Sequence, residues 1–191
     1  MLTERIIGAF TFRKGVYAEV EHDTSFTTTA WLLVAGVTFL NQLGSNVSTN
    51  FIRWILGAIV GTVIMVIGFG LAAAVISWVG RTLFNAEVTF EEMVRTLGLA
   101  SVWNIIGFVG ALVGFFPLLA CVTWPAILLG VVFLIAAWFM AAKEALDLEW
   151  VETIVTVIVG VIAWAVVWLV TRGILGLLGL GAKVVGDTLG L

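Results

Sequence analysis

The longest stretch without a charged residue runs from Thr96 to Ala142, 47 positions broken near the middle by Pro117 and Pro125. A helix rises about 1.5 Å per residue and a bilayer's hydrocarbon core is about 30 Å thick, so one crossing takes about 20 residues. The run is too long for one crossing and too apolar for water. It predicts spans three and four near Leu97–Phe116 and Trp124–Ala142, a tight hairpin around Leu118-Leu119-Ala120. Three further charge-free runs complete the pattern. Thr24 to Ile52 holds span one, near Phe26–Leu43 and closed by Gly44-Ser45-Asn46. Trp54 to Gly80, bracketed by Arg53 and Arg81, is span two, and the 19 residues Thr153–Thr171 are span five. The expected fold class is all-α integral membrane, with five transmembrane helices and an amino-terminal amphipathic interfacial segment.

Composition agrees, since 62% of the 191 residues are hydrophobic and 11% charged, whereas a soluble domain carries about 25% charged residues for its hydrated surface. A soluble globular fold is excluded. The formal net charge of -3 and the lack of any basic cluster longer than Arg13-Lys14 exclude nucleic acid as a partner. The single cysteine, Cys121, can form neither an intrachain disulfide nor a multi-thiolate metal site. Residues 1–24 carry Glu4, Glu19, Glu21 and Asp23 beside Arg5, Arg13 and Lys14 and lack a secretory apolar stretch, so no cleaved leader is expected.

Five crossings put the termini on opposite sides. Arg5, Arg13, Lys14, Arg81, Arg95 and Lys143 fall on the amino-terminal side, against Arg53, Arg172 and Lys183 on the other, which predicts a cytoplasmic amino terminus and an outside carboxy terminus. Every acid except Asp187 shares the amino-terminal side.

Three regions follow. In residues 1–24, Leu2, Ile6, Phe10, Val16, Tyr17 and Val20 recur at helical spacing, a segment expected on the inner leaflet as two short pieces or one bent helix because Gly8 and Gly15 interrupt it. Residues 25–172 form the five-span domain, in which Thr89 and Glu92 are spaced for a reciprocal cap at the start of span three's helix, ahead of the bilayer. Residues 173–191 are a glycine-rich apolar tail, either an extension of span five or an outer-leaflet helix. Trp150 suits the headgroup belt.

The GxxxG steps Gly57–Gly61 and Gly110–Gly114 allow close helix approach and read first as intrachain packing, second as a subunit surface. No span carries an ionisable residue near its middle, which disfavours proton-coupled transport. Ser77, Ser101 and Asn104 read as packing hydrogen-bonders rather than a substrate site. Glu91-Glu92-Met93-Val94-Arg95 resembles the EExxxR element of membrane-embedded prenyl-protein proteases, but it is one residue short, and the lone histidine, His22, reads as solvated. A rhomboid-type serine site has neither its serine setting nor a histidine partner within a span. No catalytic site, metal or cofactor is expected.

With that layout in place, the chain resembles bacterial members of the Yip family, five-span Ypt/Rab-interacting membrane proteins, over about residues 3–171. The resemblance rests on Glu4-Arg5-Ile6-Ile7 and Tyr17-Ala18-Glu19-Val20 before span one. It continues through Gly80-Arg81-Thr82-Leu83-Phe84, Val88-Thr89-Phe90-Glu91-Glu92 and Arg95-Thr96-Leu97-Gly98-Leu99-Ala100, then Trp138 and Lys143-Glu144-Ala145-Leu146. One departure stands out: the family's proline at the amino-terminal turn is missing from Phe12-Arg13-Lys14-Gly15, so the resemblance does not itself imply a sharp bend there. The resemblance implies a five-span α-helical bundle in a bacterial inner membrane. In eukaryotes the family is associated with vesicle traffic and with binding prenylated small GTPases, but this chain lacks a long acidic cytosolic arm.

The leading expectation is a non-enzymatic scaffold that organises lipids or partner membrane proteins, with no soluble substrate, through a cytoplasmic face of Arg81, Glu91, Glu92, Arg95, Lys143 and Glu144. Two alternatives are an accessory subunit of a larger bioenergetic or photosynthetic membrane complex, and a transporter of a small apolar or lipid-like solute.

Overall fold

The computed structural model describes residues 1–180. Helices α1 (Leu2–Phe10) and α2 (Val16–Glu21) precede α3 (Phe26–Ser45) and α4 (Phe51–Phe84). Span three is a composite of α5 (Phe90–Ala100), a 3-10 stretch (Ser101–Val109) and α6 (Gly110–Phe115). A 3-10 turn, Pro117–Leu119, leads into α7 (Ala120–Leu146), and α8 (Trp150–Leu177) closes the described chain. Among the described residues, five helical segments are long and apolar enough to cross a membrane, Phe26–Ser45, Phe51–Phe84, Phe90–Phe115, Ala120–Leu146 and Trp150–Leu177. Their outward faces carry apolar side chains such as Leu32, Ile67, Val122, Leu128, Val151 and Leu169, the surface a bilayer rather than water would cover.

The helices run past the expected limits because charge limits only the apolar run, while caps decide where a helix stops. α4 starts at Asn50, whose side chain accepts from the Arg53 amide at 3.0 Å, and ends at Asn85 in the left-handed region (φ 54°). Pro125, expected at the second position of span four, lies further inside α7, which begins at Ala120. α8 continues through Arg172 to Leu177, so the first residues of the 173–191 tail extend span five; residues 181–191 lie outside the described residues.

Span three differs most from a regular helix. Nine 3-10 residues rise about 2.0 Å each and cover ~18 Å, where an α-helix would cover ~14 Å, so Ser101–Val109 lengthens the crossing.

The amino-terminal segment is two helices, and the turn between them is sharp despite lacking proline. Phe12 (φ 52°) and Gly15 (φ 78°) take left-handed conformations that reverse the chain. The segment is thus the two short pieces that Gly8 and Gly15 allowed, and positive φ at two positions does what a proline would otherwise do. Ala9, Val16, Tyr17 and Val20 are buried in the same core as Val94, Leu97, Ala141 and Ala145, so the apolar face of this segment packs on protein.

Candidate functional site

The charged end of the bundle is organised around Arg95 on α5. Its Nε donates to the backbone carbonyls of Val20 (3.1 Å) and Glu21 (2.9 Å), its Nη2 donates to Glu21 O, and its Nη1 donates to Thr27 Oγ1 (3.2 Å). These carbonyls end α2, where a helix leaves acceptors without partners and its dipole favours a cation. Arg95 therefore ties α2, the start of α3 and α5 together. It is 3% exposed, which corrects its expected place on a partner-facing surface: its donors are consumed inside the chain.

The other residues of the expected face are distributed around this anchor. Arg81 is exposed, with Nε donating back to Ser77 O at 3.2 Å. Glu91 and Glu144 are exposed. Glu92 is half-buried in the predicted capping box: Thr89 N donates to its Oε2 at 2.7 Å while its own amide donates to Thr89 Oγ1 at 3.2 Å. Lys143 is half-buried, donating to Leu148 O at 3.0 Å with its ammonium 4.9 Å from the Trp150 ring centroid.

What reaches water here is mainly acidic, because Glu87, Glu91, Glu144, Asp147 and Glu149 are all exposed. Burial raises the pKa of Glu21, and the negative charges of Asp147, Glu92 and Glu144 add to the rise against the lowering effect of His22. Asp23 moves the other way, held down by hydrogen bonds from Ser25 and Arg5, the latter also an ion pair at 2.7 Å. Among the described residues, no group of three or more His, Cys, Asp or Glu is arranged to hold a metal ion.

The expected packing glycines face segments of this chain. A Cβ on Gly61 would meet Gln42 Oε1 at 2.6 Å, and one on Gly57 would meet Leu180 O at 2.7 Å. A Cβ on Gly110 would meet Gly44 O at 2.8 Å and one on Gly114 the Val47 side chain, so the second pair shares one neighbour, the end of α3 and the loop after it. Sequence reasoning missed the α3 side of these contacts. Gly44 lies against the backbone of Gly107 and Phe108, and Asn41 Nδ2 donates to Asn104 O (2.9 Å) and Asn104 Oδ1 (3.1 Å). The signal was Asn41-Gln42, an amide pair inside an apolar span. Ser77 and Ser101 bond backbone on their own helices, to Ala74 O and Leu97 O.

Two small cavities flank the 3-10 stretch. One, of about 10 Å³, is lined by Thr38, Ser101, Asn104 and Trp138, whose indole N–H is buried without a hydrogen-bond partner. The other, of about 30 Å³, is lined by Asn41, Asn104 and Gly130. Each has room for about one or two waters rather than an organic substrate.

The family model for the Yip1 domain matches residues 7–171. No curated protein matches the chain, and no solved structure matches it.

Proposed function

The chain belongs to the Yip1 domain family, and from that premise we propose that it is a non-enzymatic membrane scaffold whose acid-rich end docks partner membrane proteins. The observation that carries this reading is the exposed acidic surface of Glu87, Glu91, Glu144, Asp147 and Glu149, beside a bundle interior whose described cavities admit only water-sized molecules. A surface of one sign attracts the opposite sign, so the fitting partner presents lysine and arginine just outside its own spans. The excess of arginine and lysine at this end supports a cytoplasmic location for it, with the amino terminus inside.

The test is extraction of the tagged protein from native membranes in mild detergent, separation on a native gel and mass spectrometry of co-migrating chains. A stoichiometric membrane partner, released by added salt or by Glu91→Lys with Glu144→Lys, is expected. A monodisperse protein without a partner would overturn the reading.

A further inference from the structure

The α1–α2 pair is built as a hairpin with an open end and a tip. At the open end Arg5 pairs with Asp23 at 2.7 Å. Near the tip, a Cβ on Gly8 would lie 2.9 Å from Val16 Cγ2, and Arg13 N donates to Gly8 O at 2.8 Å. The two ends sit at different heights along span three. α2 finishes at Arg95, whereas Trp103 donates from Nε1 to Ala9 O at 3.3 Å and stacks on Phe12, ring centroids 5.7 Å apart. From Arg95 to Trp103 the chain advances about 13 Å, five residues as α-helix and three as 3-10. Phe12 also lies 6.1 Å from the Phe133 ring, midway along α7. An element lying flat on the membrane surface would contact span three at one height; this one descends beside it.

The neighbourhood of the tip is lipid-facing, with Val131, Val132 and Ile135 exposed on α7. Yet Arg13 and Lys14 are exposed at that tip. Glu19 takes one of the two charges, its carboxylate oxygens both 2.8 Å from Arg13 Nη2, which leaves the tip net positive. A cation below the membrane surface is stabilised by reaching toward headgroups and drawing an anion to itself.

We propose that α1–α2 is a re-entrant hairpin standing in the leaflet on the acid-rich side, with Arg13 and Lys14 binding the phosphate of an anionic phospholipid. Ile7, 56% exposed on the outward face of α1, meets the acyl chains.

The full chain, with Cys121→Ser, is spin-labelled at Thr11→Cys near the tip or Thr24→Cys beyond the open end, in vesicles of phosphatidylcholine with phosphatidylglycerol. The label at 11 is expected to be reached by oxygen more than by a water-soluble nickel chelate, and the label at 24 the reverse; equal chelate access at both positions overturns the re-entrant geometry. Spin-labelled phosphatidylglycerol is expected to associate with the unsubstituted chain about fivefold or more over phosphatidylcholine, falling toward parity in Arg13→Gln/Lys14→Gln. No anionic preference in the unsubstituted chain, or one untouched by the double substitution, overturns the phosphate assignment.

Discussion

Replacing Arg95 by methionine keeps a long apolar stem in a site that is 3% exposed and removes every donor that reaches α2. The carbonyl of Glu21 then loses the guanidinium that satisfies it, while Val20 O keeps the Asp23 amide at 3.3 Å. An acceptor left without its partner costs about 1–3 kcal/mol, and part of the loss is offset because a guanidinium no longer has to be stripped of water. The expected net for the one orphaned carbonyl is about 1–2 kcal/mol, felt at the α2–α5 contact and not in the spans, whose packing Arg95 does not supply. Since about 1.4 kcal/mol is a factor of ten, amide exchange over residues 16–21 should accelerate about 5- to 30-fold while α4, α7 and α8 keep their protection. Hydrogen–deuterium exchange with mass spectrometry in detergent reads both regions at once. Arg95→Lys should fall in between, because one ammonium cannot reproduce the fork that spans Val20, Glu21 and Thr27. Unchanged protection at 16–21 in a folded Arg95→Met protein would refute the reasoning.

Other consequences are as direct. Gly44→Ala drives a methyl into the backbone of Gly107 and Phe108 and should lower stability by about 2–3 kcal/mol, whereas Gly36→Ala, in open space on the same helix, should cost nothing; thermal scans of the two variants compare them. Thr89→Ala removes one arm of the capping box and should cost about 1 kcal/mol, with Glu92→Gln retaining most of that amount, read from detergent melting midpoints. Stability should also respond to pH through carboxylates whose shifts have opposite signs, Glu21 against Asp23 and Glu92. Glu21 has a raised folded pKa, so the folded state gains below the usual 4.5 and loses that gain as pH rises through the folded value. Asp23 has a lowered one, so its contribution is present above the usual 3.8 and disappears only as pH falls through the folded value. On titration from neutral pH toward about 5 the unsubstituted chain should therefore gain stability relative to Glu21→Gln, because the lowered carboxylates Asp23 and Glu92 contribute alike in both; melting temperatures that shift in parallel in the two proteins would contradict the assignment.

Features set by the bilayer or by short spacing were legible in the sequence, and features made by distant segments were not. Five crossings follow from charge-free lengths against a fixed thickness, and the Thr89–Glu92 cap from an i, i+3 spacing. Arg95 could not be read in the same way. A cation in the first turns of a helix ordinarily faces water, and its burial depends on the carbonyl of a residue 74 positions earlier arriving beside it. Asn104 likewise has its partner 63 positions away in Asn41. Gly15 marked a break in the amino-terminal segment, but the part Phe12 plays in the turn was hidden because its positive φ carries no residue signature; the stacking of its ring on Trp103 accompanies it.

These internal uses of charge decide what a partner meets. Arg5 is engaged by Asp23, Arg13 by Glu19, Arg95 by the end of α2, and Lys143 by Leu148 O and the Trp150 ring. The same arginines and lysines that orient the chain during insertion are thus largely occupied once it folds. Glu87, Glu91, Glu144 and Asp147 form no ion pair with the described residues and stay exposed. The folded end is consequently more negative toward solvent than the residue counts of that side suggest. Docking at this end should weaken as salt rises, and it should weaken further when Glu144→Lys places a cation beside Lys143. Binding indifferent to both would mean that partners engage the lipid-facing helices, where no charge is available to screen.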